Sequence, residues 1–130
     1  MMTCHVARSI EGCRVLIIED EYFLADDLAK ALRLVGCKVI GPVAELRDAM
    51  SIQTDSFDLA LIDINLRECL AYPIADELIR LGKPFIFVTG YGADAMPHRF
   101  KDVRRFEKPC DFRTISAEIS MLCGRVLSSS

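Results

Sequence analysis

The sequence predicts an α/β fold in which a parallel sheet carries helices on both faces. Short apolar runs of strand length alternate about five times with segments of helical periodicity. The runs lack the alternation of half-exposed strands, as is typical of strands buried on both faces. Four of them end in polar side chains. A chain of 130 residues suits one domain with a sizeable core.

The strands follow from these apolar runs, taken in chain order. Val15 to Ile18 is the most uniform run, and Gly41-Pro42 ends the short second strand. We predict strands over residues 14–18, 38–40, 57–62, 85–88 and 103–107.

The helices follow from apolar residues that recur at the spacing of one helical face. A first helix over residues 22–35 is expected to end at Gly36 in a left-handed cap, and a second covers residues 44–52. Pro73 suits the first turn of the third helix, because its missing amide hydrogen would have no partner there.

The remaining helices are marked by their ends. Gly82 ends the third helix, and Asp111 can cap the last one. Between the fourth and fifth strands, Gly92 and Pro97 discourage helix formation, so any helix there is short.

Polar side chains follow four of the strands. They are Glu19-Asp20 after the first, Asp63 after the third, Thr89 after the fourth and Lys108-Pro109 after the fifth. Because the carboxyl ends of parallel strands meet at one edge, three carboxylates, a hydroxyl and an ammonium group should converge there.

Such a cluster calls for a cation, because two unit charges about 4 Å apart repel by roughly 4 kcal/mol at a protein surface. All-oxygen ligands suit Mg²⁺, held by Glu19, Asp20, Asp63 and the backbone carbonyl of Asn65. In that scheme Asp63 is a nucleophile that forms an acyl phosphate. Lys108 and the Thr89 hydroxyl contact the phosphoryl oxygens.

Each of these residues also has an ordinary structural explanation. Glu19 and Asp20 could cap the first helix, Thr89 could belong to a turn, and Lys108 could be a surface lysine. Those separate explanations do not account for polar groups at the ends of four strands.

Net charge and hydropathy limit the classes of binding partner and the cellular locations to expect. The net charge of −3 gives no reason to expect nucleic acid, and no apolar run approaches the length of a membrane span. We expect a cytoplasmic protein with a loose N-terminal extension over residues 1–13, a folded domain over 14–125 and a tail over 126–130.

The six cysteines show no spacing typical of metal ligands. We interpret them as small thiols in a reducing compartment, in preference to redox or metal roles. Cys4 and Cys13 are expected to be the most exposed.

At the four strand ends the chain resembles the receiver domains of bacterial response regulators, over residues 14–125. The resemblance implies a flavodoxin-like sheet of five strands in the order 2-1-3-4-5, flanked by five helices. It implies that Glu19 and Asp20 hold Mg²⁺ and that Asp63 is the phosphoacceptor. Thr89 is then the switch hydroxyl, and Lys108 belongs to a Lys-Pro pair whose peptide bond is typically cis.

A narrower resemblance rests on Phe87-Val88-Thr89-Gly90-Tyr91, which is similar to the signature of the FAT GUY receivers. Many of those are stand-alone receivers. One position departs from the family, because Arg105 stands where most receivers carry an aromatic switch residue. We hypothesise that Tyr91, or the segment over residues 90–100, carries the signal instead.

The resemblance implies a phosphoacceptor signalling protein. It would take a phosphoryl group from a histidine kinase or a histidine phosphotransfer protein, and then bind a downstream protein partner or pass the group on. It would not be an enzyme beyond catalysing its own phosphorylation and dephosphorylation. The alternative is an interaction module that works without phosphorylation. A phosphatase is disfavoured because Asn65 stands where such an enzyme needs a second aspartate.

Overall fold

The computed structural model describes residues 12–66, 69–90 and 96–128. For residues 126–128 it describes the backbone only. Its strands are β1 (Arg14–Ile18), β2 (Lys38–Val43), β3 (Leu59–Asp63), β4 (Asn65–Leu66), β5 (Cys69–Leu70), β6 (Phe85–Thr89) and β7 (Arg105–Glu107).

Five of the strands form one parallel sheet in the order β2-β1-β3-β6-β7. Numbered within that sheet alone, the order is 2-1-3-4-5, so the predicted fold class is confirmed. β4 and β5 form a separate antiparallel pair directly after β3, which the sequence pattern does not predict. Their two-residue strands are too short for a periodicity to be detected.

The described residues include four α-helices and two short 3₁₀ helices. Gly82 ends the third helix in the left-handed conformation with φ of 70°, as predicted. The second helix is only five residues long, shorter than the predicted span of 44–52. The α-helices are α1 (Tyr22–Leu34), α2 (Leu46–Met50), α3 (Tyr72–Leu81) and α4 (Phe112–Ser128), and the 3₁₀ helices are Thr54–Ser56 and His98–Phe100.

The expectation that Gly41-Pro42 ends the second strand is wrong, because β2 continues to Val43. β2 is an edge strand, so the missing amide hydrogen of Pro42 need not cost a ladder hydrogen bond. Gly41 has φ of 91° and is followed by a cis peptide bond. A Cβ atom on Gly41 would lie 2.8 Å from the amide nitrogen of Val43.

This irregularity brings β2 to the end of β1. Leu16 pairs with Ile40 but Ile18 pairs with Val43, so β2 contains one extra residue between the two pairs. The carbonyl oxygen of Val43 then accepts a hydrogen bond of 2.9 Å from the amide of Glu19. The bulge therefore holds the backbone at the first polar residue after β1.

The core consists of two layers, one on each face of the sheet. Alternate residues of β1 point to opposite layers: Val15 and Ile17 to the first, Leu16 and Ile18 to the second. Buried residues of α1 and α4 complete the first layer, and those of α2 and α3 complete the second. A sheet covered on both faces leaves its carboxyl edge as the open place for polar groups.

Cys13 and Cys123 form a disulfide, with Cα atoms 5.9 Å apart. Both are fully buried in the first core layer, so the expectations of an exposed Cys13 and of thiols throughout are wrong. Their pairing depends on how α4 packs over the start of β1, which the sequence spacing does not reveal. Among the described residues, Cys37, Cys69 and Cys110 are free thiols.

No helix in the described part of the chain combines the length and apolar character needed to cross a membrane.

Candidate functional site

Three carboxylates lie together at the carboxyl edge of the sheet. Glu19, Asp20 and Asp63 each offer an oxygen, and these oxygens lie within 4.8 Å of one another. The cause is the register of the sheet: Ile18 pairs with Ile62, so the residues that follow emerge side by side. Glu19 and Asp63 are buried, whereas Asp20 is half-buried.

Both carboxylate oxygens of Asp63 accept a hydrogen bond. The amide of Asn65 donates to Oδ1 over 3.0 Å, and Nζ of Lys108 donates to Oδ2 over 3.1 Å. The next residue, Ile64, donates its amide to the carbonyl of Val88 over 3.1 Å. These contacts hold the Asp63 carboxylate in one orientation.

Lys108 lies beyond the end of β7 and is tied to the neighbouring strand. Its amide donates to the carbonyl of Thr89 over 2.8 Å, and its peptide bond to Pro109 is cis. The ammonium group lies 2.8 Å from Oε1 of Glu21, 3.1 Å from Oδ2 of Asp63 and 3.2 Å from Oε1 of Glu19. One cation thus faces three carboxylates.

Glu21 is a further residue of the site, one that the sequence pattern does not single out. This residue directly precedes α1, and its amide donates to Oε2 of Glu19 over 3.1 Å. Its side chain makes no capping hydrogen bond to the helix, and its carboxylate contacts Lys108 instead. The one feature of the sequence that points to Glu21 is its position next to Glu19-Asp20. An acidic residue before a helix is also explained by a favourable interaction with the helix dipole, so the position alone does not indicate a site residue.

The electrostatics of the site follow from burial and excess negative charge. The pKa of Glu19 is raised from 4.5 to about 8, first by burial and then by the hydrogen bond and negative charge of Asp63. Burial alone would lower the pKa of Lys108. The hydrogen bond to Glu21 and the charges of Asp63 and Glu19 outweigh burial and raise that pKa above its ordinary value.

The residues present fit a hard divalent cation. Four carboxylates, counting Glu21, surround the single ammonium group of Lys108, so negative charge is in excess within the cluster. Oε1 of Glu19 is buried and has no hydrogen-bond partner, although Lys108 lies nearby. Oxygen ligands with uncompensated negative charge are what Mg²⁺ takes in proteins. The acidic cluster of Glu19, Asp20 and Asp63 could therefore hold a metal ion.

Thr89 is buried at the end of β6, the strand between Asp63 and Lys108. Val88 pairs with Asp63 across β3 and β6, so Thr89 lies one residue further towards the site. Tyr91, predicted to carry the signal, lies outside the described residues.

Arg105 is half-buried in β7 and pairs with Phe87. The next residue, Phe106, packs against the first core layer, so Arg105 belongs to the opposite face of the sheet. An aromatic cluster of Tyr72, Phe87 and Phe100 occupies that second layer, with the rings of Tyr72 and Phe100 stacked at 5.1 Å. Aromatic side chains thus lie on the sheet face that Arg105 shares.

Residues 99–113 are rich in basic side chains, and two of these form ion pairs with carboxylates of neighbouring elements. Arg99 lies over the ring of Phe100 at 4.5 Å and pairs with Asp76 at 2.9 Å. Arg104 pairs with Glu118 at 2.7 Å. These two guanidinium groups hold neighbouring elements together.

A groove of about 530 Å³ opens beside Asp20. It lies between the start of α2 and the β4–β5 pair, and so it leads from solvent to the half-buried carboxylate of the acidic cluster. Its lining residues are Asp20, Ala44, Glu45, Leu46, Arg47, Leu66 and Cys69.

No protein-family model matches the chain, and no curated protein does. Solved structures do match. The signal receiver domain of a Vibrio parahaemolyticus protein superposes with a TM-score of 0.78 at 19% identity, over 91% of this chain and 95% of that one. A CheY-like response regulator receiver domain protein from Methanospirillum hungatei JF-1 gives 0.76 at 22% identity, over 92% and 100%. The chain has the receiver-domain fold.

A further match shares more of the sequence. SdrG from Sphingomonas melonis Fr1 superposes on this receiver fold with a TM-score of 0.73 at 28% identity, over 88% of this chain and 97% of that one. The receiver fold therefore extends over nearly the whole chain, with the acidic cluster at the carboxyl edge of its sheet.

Proposed function

We propose that this receiver domain is a phosphoacceptor signalling protein, and that Asp63 takes a phosphoryl group from a histidine kinase or a histidine phosphotransfer protein. One observation carries the proposal. Nζ of Lys108 lies 3.1 Å from Oδ2 of Asp63, in a cluster where Glu19 and Asp20 add two further carboxylates. The receiver fold supports the same role.

The transfer uses the contacts at Asp63. A carboxylate oxygen of Asp63 attacks the phosphorus of a phosphohistidine, the phosphorus–nitrogen bond breaks, and the imidazole leaves with the electron pair and takes a proton from water. The product is an acyl phosphate on Asp63. Lys108 pairs with a phosphoryl oxygen, and the Thr89 hydroxyl donates to another.

Mg²⁺ would be held by Glu19, Asp20, Asp63 and the backbone carbonyl of Asn65, where it supplies positive charge that neutralises the phosphoryl oxygens. The domain itself provides the nucleophile and the orienting hydrogen bonds. Its activity as a catalyst is limited to its own phosphorylation and dephosphorylation.

The output of the domain is protein binding. The phosphorylated domain engages a downstream protein or passes the phosphoryl group on, in the manner of a stand-alone FAT GUY receiver in the cytoplasm. It needs no contact with nucleic acid or a membrane. Arg105 occupies the position of the usual aromatic switch residue, and Tyr91, or the segment over residues 90–100, carries the signal instead. Residues 14–125 form the signalling unit.

The proposal is tested by intact-mass spectrometry after incubation with acetyl phosphate and Mg²⁺. The wild type should gain the mass of one phosphoryl group, and Asp63→Asn should gain none. Asp48→Asn, an exposed aspartate on α2, is the matched control and should behave as the wild type. A wild type that stays unmodified with both this donor and a phosphorylated phosphotransfer protein would favour the phosphorylation-independent interaction module.

A further inference from the structure

We propose that Glu21 is a positioning residue that holds Lys108 while Asp63 is unphosphorylated and releases it when a phosphoryl group arrives. The inference rests on the proposed function. It gives Glu21, which is not one of the proposed Mg²⁺ ligands, a role in regulating the phosphorylation of Asp63. Its basis is the contact of 2.8 Å between Oε1 of Glu21 and Nζ of Lys108, the shortest of the three carboxylate contacts of that ammonium group.

An ammonium group has three N–H donors. In this structure Nζ of Lys108 donates to Glu21, to Asp63 and to Glu19. A phosphoryl oxygen on Asp63 needs a donor from the same ammonium group. One of the present acceptors therefore has to give up its hydrogen bond when the acyl phosphate forms.

Glu21 is the acceptor that leaves most easily. The Glu19 side chain is 2% exposed and also accepts the amide of Glu21, so it has little access to water. Asp63 carries the phosphoryl group itself. The Glu21 side chain is 61% exposed, so water can replace Lys108 as its partner at small cost.

The loss of the contact between Glu21 and Lys108 affects the start of α1. Glu21 is the residue that precedes this helix, and Tyr22 and Phe23 follow it with 75% and 80% of their surface exposed. While Glu21 binds Lys108, two hydrogen bonds join the start of α1 to the site: the side-chain contact with Lys108 and the amide contact with Glu19. Phosphorylation of Asp63 breaks the first of these and leaves the second.

The rate experiment compares Glu21→Gln with Glu77→Gln in the 130-residue chain, using acetyl phosphate and Mg²⁺. Glu77 is a partly exposed carboxylate on α3 that pairs with Arg80, so its substitution removes one negative charge without touching Lys108 or the groove beside Asp20. Loss of the competing acceptor should speed phosphorylation by about threefold in Glu21→Gln, as expected for an exposed ion pair. Glu77→Gln should keep the wild-type rate.

A spectroscopic measurement on the unphosphorylated protein tests the contact itself. The side-chain ¹⁵N resonance of Lys108 should shift in Glu21→Gln and stay in place in Glu77→Gln. Equal rates in the two variants, a slower rate in Glu21→Gln, or an unmoved Lys108 resonance overturns the role of Glu21. A wild type that gains no phosphoryl group on Asp63, with the Lys108 resonance still shifted by Glu21→Gln, overturns the proposed function instead.

Discussion

The side chain of Lys108 crosses β6 to contact Asp63, although neither residue lies in that strand. Asp63 ends β3, Lys108 follows β7, and β6 lies between these two strands in the sheet. The amide of Lys108 is bonded to the carbonyl of Thr89 in β6, and its ammonium group reaches Oδ2 of Asp63 at 3.1 Å. The long side chain thus spans β6, and the carboxyl ends of three strands form one charged site.

Without divalent cations, the stability of the protein should fall as pH rises from about 5 to about 9. Glu19 has its pKa raised from 4.5 to about 8, so in that range the folded state binds a proton that the unfolded state has released. Stability falls wherever the folded state binds more protons. Urea unfolding in EDTA at several pH values measures it.

The substitution Glu19→Gln should flatten that pH dependence and stabilise the metal-free protein at pH 9. Glu118→Gln is the control, because Glu118 is also a partly buried carboxylate with a cationic partner, but it pairs with Arg104 away from the site. A Glu19→Gln variant that loses stability with pH as steeply as the wild type would contradict the assignment to Glu19.

Mg²⁺ should raise the melting temperature of the wild type, because an ion that binds only the folded state stabilises it in proportion to the logarithm of its concentration. Asp20→Asn should abolish most of this gain by removing one carboxylate of the cluster. Circular dichroism suits the measurement because the chain contains no tryptophan. Asp48→Asn should respond as the wild type does, and the same gain in Asp20→Asn would exclude that residue as a ligand.

Gly41→Ala should destabilise the protein by about 3 kcal/mol, at the upper end for a strained backbone position. Gly41 has positive φ, and its added Cβ would lie 2.8 Å from the amide nitrogen of Val43 and 3.0 Å from the carbonyl of Ile17. Gly12 is the control because it also has positive φ, at 81°, but a Cβ there meets nothing within 4 Å. Urea unfolding should therefore give a larger loss for Gly41→Ala, and equal losses would argue against the close approach.

Reduction of the Cys13–Cys123 disulfide should lower the free energy of unfolding by about 3 to 4 kcal/mol, because the bond closes a long loop in the unfolded chain. Urea unfolding with and without a reductant measures the difference. The double variant Cys13→Ser/Cys123→Ser should be insensitive to the reductant. Alkylation of all six cysteines in unreduced, denatured protein would show that the bond is absent.

The strands and the acidic cluster could be predicted because each depends on a local pattern. An apolar run followed by a carboxylate is visible in sequence, and parallel pairing then brings Asp63 beside Glu19 and Asp20. The contact of Glu21 with Lys108 joins residues 87 positions apart through the reach of two long side chains. Hydrophobic periodicity along the sequence does not predict a contact between two side chains so far apart.

Other features depended on tertiary packing. The bulge at Gly41-Pro42 is tolerated because β2 lies at the edge of the sheet, and a sequence pattern does not show which strand is at the edge. Cys13 and Cys123 are 110 residues apart, and they meet only because α4 packs over the start of β1.

That disulfide makes residues 13–123 a covalent ring that contains the seven strands found among the described residues. A protease that cuts any single peptide bond within the ring leaves two fragments still joined through sulfur. Nicked protein will therefore migrate as one species on a non-reducing gel and separate only after reduction, so fragment patterns from limited proteolysis must be recorded under both conditions.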